Sequence, residues 1–424
     1  MTGVQTCALP IYALAYNLKG LSINEKILPA DHPGLAMTYN HLGLTYQALG
    51  EYEKSLEYSL KALAIREKVL PLLHPDLAMT YNNVSLAYEN LRGYQKALEA
   101  IDKAISIMEK VMPADHPDLQ IMYDNKANAY AGLGDFQKSL EYHLKAAAIA
   151  EKVLPADHPD LASSYIGLLL IYRKLGEKDK ALEYAQKAIT IREKTLPADH
   201  PDLALSYCNI ALIHFDLGDY LKSVDASVKG ITILEKVLPA DHPNLATAYG
   251  NLAQTYSALG DFQKSVEYLL KQITIYEKIL PPGHPDLCIP YNNIGRCYRE
   301  MGDFNKAIEF GLKAVHQGEA SDPKSAFLNR WYGNLGRSYL YAKQYPEAKA
   351  AFEKRESLQA ESGAYQDWTL YYAVQNDNTH AIESLQKAVS LGFKDLKWLT
   401  TNKNLENIRG EKAYKDIVEQ LQKK

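Results

Sequence analysis

Along most of the sequence apolar residues recur at i, i+3, i+4 and i+7, the spacing of one face of an α-helix. Leu35, Tyr39, Leu42 and Tyr46 form the first clear run. Two such patterns alternate. The shorter, as in DLAMTYNNVSLAYENL, leads into a glycine-containing turn such as Leu49-Gly50-Glu51-Tyr52, Leu133-Gly134-Asp135-Phe136 or Leu217-Gly218-Asp219-Tyr220. Glycine there predicts a helix C-terminus closed by a left-handed residue. The longer pattern, as in KSLEYSLKALAIREKVL, is rich in strong helix formers. It stops at a proline, which cannot continue a helix interior. Almost no segment alternates with a period of two, so the predicted class is all-α.

The pair of patterns repeats. A His-Pro dipeptide stands at His32, His74, His116, His158, His200, His242 and His284, always 42 residues apart, inside variants of LPADHPDLA. A fixed period of this length is the signature of a solenoid in which each unit buries its apolar face against its neighbours. The dipeptide reads as punctuation. Pro33 and its equivalents suit a first helical turn, and Asp76, Asp118, Asp160, Asp202 and Asp286 then sit at the positive end of the helix dipole. Seven histidines beside aspartates invite a metal reading. Equivalent residues one repeat apart cannot share an ion at ligand distances of about 2 Å, so no metal site is expected.

Composition narrows the function further. A formal charge of −4 and 23% charged residues exclude non-specific attraction to nucleic acid, and no run of eighteen apolar residues offers a membrane span. Cys7, Cys208, Cys288 and Cys297 form no CxxC pair and no disulfide framework. The 31 tyrosines, against 8 phenylalanines and 3 tryptophans, point to a packing element used once or more in every repeat. No GxxxxGK[ST], GxGxxG after a strand, HExxH or GxSxG occurs. His143, His214, His316 and His380 are isolated, so neither an enzyme nor a cofactor is expected. The compartment expected is the cytoplasm.

The helix pairs resemble tetratricopeptide repeats, and the 42-residue form with its LPADHPDLA linker is similar to the kinesin light chain subtype. The pattern falls on Tyr39, Leu42, Gly43, Tyr46, Gly50, Tyr52, Ser55 and Ala62, and again on Tyr249, Leu252, Ala253, Tyr256, Gly260, Phe262 and Ser265. Departures are Gln272 for alanine, His214 for tyrosine, and Arg92-Gly93, where the glycine comes one place late. The closing segment, Leu391 to Leu421, resembles the end of bacterial arrays. Residues 1–11 (MTGVQTCALPI) resemble a translated sequencing adapter, on which reading the natural protein begins upstream of Tyr12. The expected organisation is a lone second helix at 12–28 and seven full repeats at 29–70, 71–112, 113–154, 155–196, 197–238, 239–280 and 281–322. A shorter repeat at 323–360, a weak one at 361–391 and capping helices at 392–424 follow. The incomplete first unit exposes Ile11, Leu14 and Leu18, and self-association or fraying is expected there.

The resemblance implies a right-handed superhelical solenoid of helix hairpins whose first helices line a peptide-binding groove. The position two residues after the first-helix tyrosine then faces the groove: His41, Asn83, Asn125, Gly167, Asn209, Asn251, Asn293 and Asn334. A carboxamide has an acceptor and two donors and can bond the backbone of an extended peptide of any sequence. The other reading is that these asparagines bond within the solenoid. Early groove positions are apolar (Met37, Leu44, Met79, Leu86, Ile121), and late ones are basic (Arg296, Arg299, Arg330, Arg337). Arginine forks bind carboxylates, which suggests an acidic or C-terminal peptide segment as ligand, unless Glu300 and its neighbours neutralise them. The expected function is a protein-interaction scaffold. The alternative is a regulatory arm of a larger protein whose nucleotide-hydrolysing, kinase or protease domain lies upstream.

Overall fold

Each His-Pro pair opens a helix. In the computed structural model, the Nδ1 of His32, His74, His116, His158, His200, His242 and His284 accepts the backbone N–H two residues on, at 3.0 to 3.2 Å. The proline takes the first helical position, where an absent N–H costs nothing. These histidines are therefore helix N-caps. The structure describes residues 2–281, 283–323 and 325–423, without the side chains of 2–11 and Ala326. The adapter reading of residues 1–11 and the expected exposure of Ile11 fall on side chains outside that set. Among the described residues there is no strand.

Two units are present, Met1–Pro239 and Ala240–Lys424. The first holds α1 (Thr2–Ile27), α2 (Pro33–Ala48), α3 (Tyr52–Val69), α4 (Pro75–Asn90), α5 (Tyr94–Val111), α6 (Pro117–Gly132), α7 (Phe136–Val153), α8 (Pro159–Lys174), α9 (Lys178–Thr195), α10 (Pro201–Leu217) and α11 (Tyr220–Val237). The second holds α12 (Pro243–Leu259), α13 (Phe262–Ile279), α14 (Cys288–Glu300), α15 (Phe304–Ser321), α16 (Ala326–Tyr341), α17 (Tyr345–Leu358), α18 (Ser362–Val374), α19 (Asn378–Ser390), α20 (Leu396–Thr401) and α21 (Lys412–Gln422). Within each unit consecutive helices pair as hairpins and each hairpin packs on the next, giving an all-α solenoid.

The hairpin turns explain the glycines and one of their absences. Gly50 closes α2 at φ +76°, a region that costs an L-residue strain. In the second repeat Arg92 itself takes φ +58°, so the turn keeps its geometry although its glycine is displaced by one.

Helices approach closely where small residues face each other. A Cβ on Gly43 would lie 2.7 Å from Ser59 Oγ, and Ala36, Ala62, Ala78, Ala97 and Ala104 are fully buried. The departure at Gln272 is compensated in the same way, since its amide occupies the space a Cβ on Gly250 would need (2.6 Å).

The tyrosines divide their labour. In five repeats the leading first-helix tyrosine donates its hydroxyl to a glutamate at the end of the preceding second helix: Tyr39 to Glu25 (3.1 Å), Tyr123 to Glu109 (2.7 Å), Tyr165 to Glu151 (2.9 Å), Tyr207 to Glu193 (2.7 Å) and Tyr291 to Glu277 (2.6 Å). Their rings build aromatic trios. Tyr58 stacks on Tyr46 at 5.5 Å and tilts against Tyr39 at 5.9 Å. At the N-terminus, Leu21 is buried and Leu14 packs on the same cluster, whereas Leu18 is exposed. The closing segment is a genuine core. Phe393, Leu399, Leu405, Ile408, Tyr414 and Ile417 are buried together with Phe352, Trp368 and Leu385.

Candidate functional site

The first helices α2, α4, α6, α8 and α10 of unit 1 lie side by side, and hydrogen bonds between them mark a shared face. Asn83 Nδ2 donates to Asn40 Oδ1, and Asn125 Nδ2 donates to Asn82 Oδ1, both at 2.8 Å. In unit 2, Asn334 Nδ2 donates to Asn292 Oδ1 at 2.9 Å. These three asparagines are half-buried rungs of a ladder running from one repeat to the one before. Two of the three acceptors had a signal in the sequence, since Asn82 and Asn292 directly precede the groove positions Asn83 and Asn293.

The ladder is broken elsewhere, for a reason visible in the residue types. The residue one repeat back that would accept from Asn209 is Ile166, and for Asn293 it is Gly250; neither has a side-group acceptor. The carboxamides of Asn209 and Asn293 make no hydrogen bond among the described residues. Asn251 is likewise half-buried. At Gly167 the asparagine is replaced to admit His143, whose imidazole stands 2.7 Å from where a Cβ would be. His143 is buried and hydrogen-bonded to Asp124 at 2.9 Å. His41 is exposed.

The same face of unit 1 carries apolar residues open to solvent. Met37 is 53% exposed, Ile121 48% and Leu44 42%, while Met79 and Leu86 are half-buried. Leu170 and Leu205 extend this stripe through α8 and α10. Glu89, three residues after Leu86 and seven after Asn82, belongs to it by helical spacing. Its Oε2 is buried without a hydrogen bond, and burial pushes its carboxyl up to about 7.

The late arginines fall into two kinds. Arg299 is buried; its guanidinium donates to Asn334 O at 3.2 Å and to Glu300 Oε1 at 3.4 Å. Burial, then the neighbouring Arg337, lowers its affinity for the proton. Arg337 Nε pairs at 2.5 Å with Asp367, which is fully buried and also holds Arg355. The charge of Asp367 in turn strengthens protonation of Arg337. These two arginines are spoken for inside unit 2. Arg296 and Arg330 are exposed, and Arg296 makes only a long bond to Ser257 Oγ at 3.3 Å. Asp367, the carboxylate that organises this end, carries no repeat signal and is invisible to a reading by period. Among the described residues no group of three His, Cys, Asp or Glu lies close enough to hold a metal ion, and no helix is long and apolar enough to cross a membrane.

The chain is similar to several proteins of known structure. Repeats of Podosopora anserina described as kinesin light chain repeats are 25% identical over 49% of this chain and 98% of theirs, with a TM-score of 0.45. RapI in its apo form covers 87% of this chain and 99% of its own, at 12% identity and a TM-score of 0.62. A Pyrococcus horikoshii signal transduction ATPase with a tetratricopeptide repeat sensor covers 91% of this chain and 54% of its own, at 14% identity and a TM-score of 0.59. No curated protein matches. The tetratricopeptide repeat family matches residues 13–68, 34–110, 118–194, 202–278, 258–317 and 286–361, and over that span the chain belongs to the tetratricopeptide repeat family.

Proposed function

We propose that this protein is an interaction scaffold whose first-helix face in unit 1 binds an extended peptide segment of a partner protein. One observation carries the reading: an exposed apolar stripe (Met37, Leu44, Ile121, Leu170, Leu205) runs beside carboxamides with spare hydrogen-bonding groups. Apolar anchors supply affinity by removing hydrocarbon from water. The amides of Asn83, Asn125 and Asn209 meet the peptide backbone irrespective of sequence. In unit 2, Asn251, Asn293, Arg296 and Arg330 offer amides and two exposed guanidiniums to an acidic side group or a terminal carboxylate, with Arg299, Arg337 and Asn334 forming the support behind them.

The test is selection of peptides from a random displayed library, followed by titration of the selected sequences. Asn209→Ala should weaken binding about five- to tenfold, as expected for one hydrogen bond, with unchanged melting. Selected peptides that bind this variant as tightly as the parent would overturn the groove assignment. A second reading follows from the Pyrococcus protein, a signal transduction ATPase with numerous domains and a tetratricopeptide repeat sensor. A peptide bound here would then be an input signal. Recovery of a longer natural protein with an effector domain would support that role, and a native protein holding repeats alone would exclude it.

A further inference from the structure

The fifth repeat lacks a ring that its neighbours have. In the first, third, fourth, sixth and seventh repeats the second helix contributes an aromatic residue (Tyr58, Tyr142, Tyr184, Tyr268, Phe310). That ring stacks on one first-helix tyrosine at 5.5 to 5.7 Å and tilts against another at 5.6 to 6.3 Å. A lysine Nζ lies over it at 4.6 to 4.9 Å. In the fifth repeat the corresponding residue is Ala226, and the stacking tyrosine is His214. The rest of the setting stays in place. Tyr207 keeps its ring and its bond to Glu193, and Lys229 Nζ stands 5.9 Å from the Tyr207 centroid.

Removing one ring and shrinking another leaves a cavity of about 450 Å³, lined by Ile189, Tyr207, Ile210, His214, Leu221 and Ala226 together with Lys222, Asp225 and Lys229. That volume lies in the range of small-molecule sites, roughly 300 to 1,000 Å³. Leu221, at 75% exposure, stands at its solvent side. In its wall, Nδ1 of His214 is buried without a hydrogen bond; the nearest carboxylate, Asp219, is 3.8 Å away. A buried polar atom without a partner is costly and calls for one. The second repeat shares the alanine, as Ala100, but keeps both tyrosines, Tyr81 and Tyr88.

We infer that the cavity between Tyr207, His214 and Ala226 is a binding site for a phenol ring, which takes the place that a tyrosine fills in the sister repeats. The ring lies against Tyr207, below the Lys229 ammonium, an arrangement favoured by aromatic and cation–π attraction. Its hydroxyl meets the unpaired imidazole nitrogen once the His214 ring turns to bring that nitrogen to the cavity surface. The ring belongs either to a free small phenol or to a tyrosine of a partner, and the two share the same chemistry.

The test is titration with p-cresol and with N-acetyltyrosinamide, read from the isoleucine methyl resonances of Ile189 and Ile210. A dissociation constant in the millimolar range, about what so small a ligand achieves, is expected for p-cresol. Ala226→Tyr, which rebuilds the ring of the other repeats, should weaken binding at least tenfold, and Ala226→Leu should do so in part. Ala100→Tyr should leave it unchanged. Binding of N-acetyltyrosinamide as well as p-cresol identifies a tyrosine of a partner as the ligand, whereas p-cresol alone identifies a small molecule. Absence of shifts at Ile189 and Ile210, or equal binding by Ala226→Tyr with its fold intact by circular dichroism, would overturn the assignment.

Discussion

Replacing Asp367 by asparagine removes the one carboxylate that ion-pairs with both Arg337 and Arg355. The residue is fully buried, with one carboxylate oxygen facing Arg337 and the other facing Arg355. Arg355 has further partners in Glu361 (3.2 Å) and Asn329 (3.2 Å). Arg337 has only Asp367 among its ion pairs, and its neighbour Arg299 is a like charge. Breaking a buried pair by removing one partner costs about 3–5 kcal/mol, because the surviving charge stays desolvated. In urea, with a slope on the order of 2 kcal/mol per molar, that loss moves a midpoint down by about 2 M. The site lends itself to a local assay. All three tryptophans, Trp331, Trp368 and Trp398, lie in unit 2, and Trp368 is one residue from Asp367. Tryptophan fluorescence therefore follows this end of the array, while far-ultraviolet circular dichroism follows the whole. The expected result is a large fall in the fluorescence midpoint and a smaller change in the dichroism transition, as nearest-neighbour coupling in a repeat array requires. A fluorescence midpoint lowered by less than about 0.5 M would refute the view that Asp367 anchors the late arginines.

Three further changes test other parts of the account. Arg92→Gly relieves an L-residue at φ +58° and should stabilise unit 1 by about 1 kcal/mol in thermal melts, whereas Gly134→Ala, at φ +81°, should cost a similar amount. Burial raises the Glu89 carboxyl from 4.5 to about 7, so the native state holds a proton that the unfolded state has lost. That contribution is complete below about pH 4 and is lost as pH rises towards 7; it is on the order of 1–3 kcal/mol after allowance for partial exposure. Glu89→Gln should flatten this slope in denaturation curves taken between pH 4 and 8. Asn83→Ala removes a rung at 2.8 Å and should lower stability by about 1 kcal/mol, measured by urea denaturation.

Much of the architecture was legible because a 42-residue period multiplies every local signal. A single His-Pro could be anything; seven at one spacing define helix starts, and the Nδ1 caps are what that chemistry predicts. The turns read equally well, and even Arg92 was visible as a displaced glycine. What the period hides is whatever differs between repeats. The groove asparagines look equivalent in sequence, yet Asn83 and Asn125 are tied to Asn40 and Asn82, while Asn209 has Ile166 at the acceptor position and makes no hydrogen bond. The late arginines look like an exposed basic patch, and the structure divides them, placing Arg299 and Arg337 among Glu300, Asn334 and Asp367. That division depends on a carboxylate on a later helix that follows no repeat. His214 and Ala226 stood out only as substitutions; the cavity between them needs both losses in one repeat and the surrounding helices in place.

The most direct test is a carbene footprint of unit 1 with and without a selected peptide, resolved to single residues. Binding in the first-helix face predicts protection at Met37, Leu44, Ile121 and Leu205, with Lys61, Lys145 and Lys187 on the second helices unchanged. Protection confined to those second-helix lysines, with the apolar stripe still fully labelled, would contradict the account.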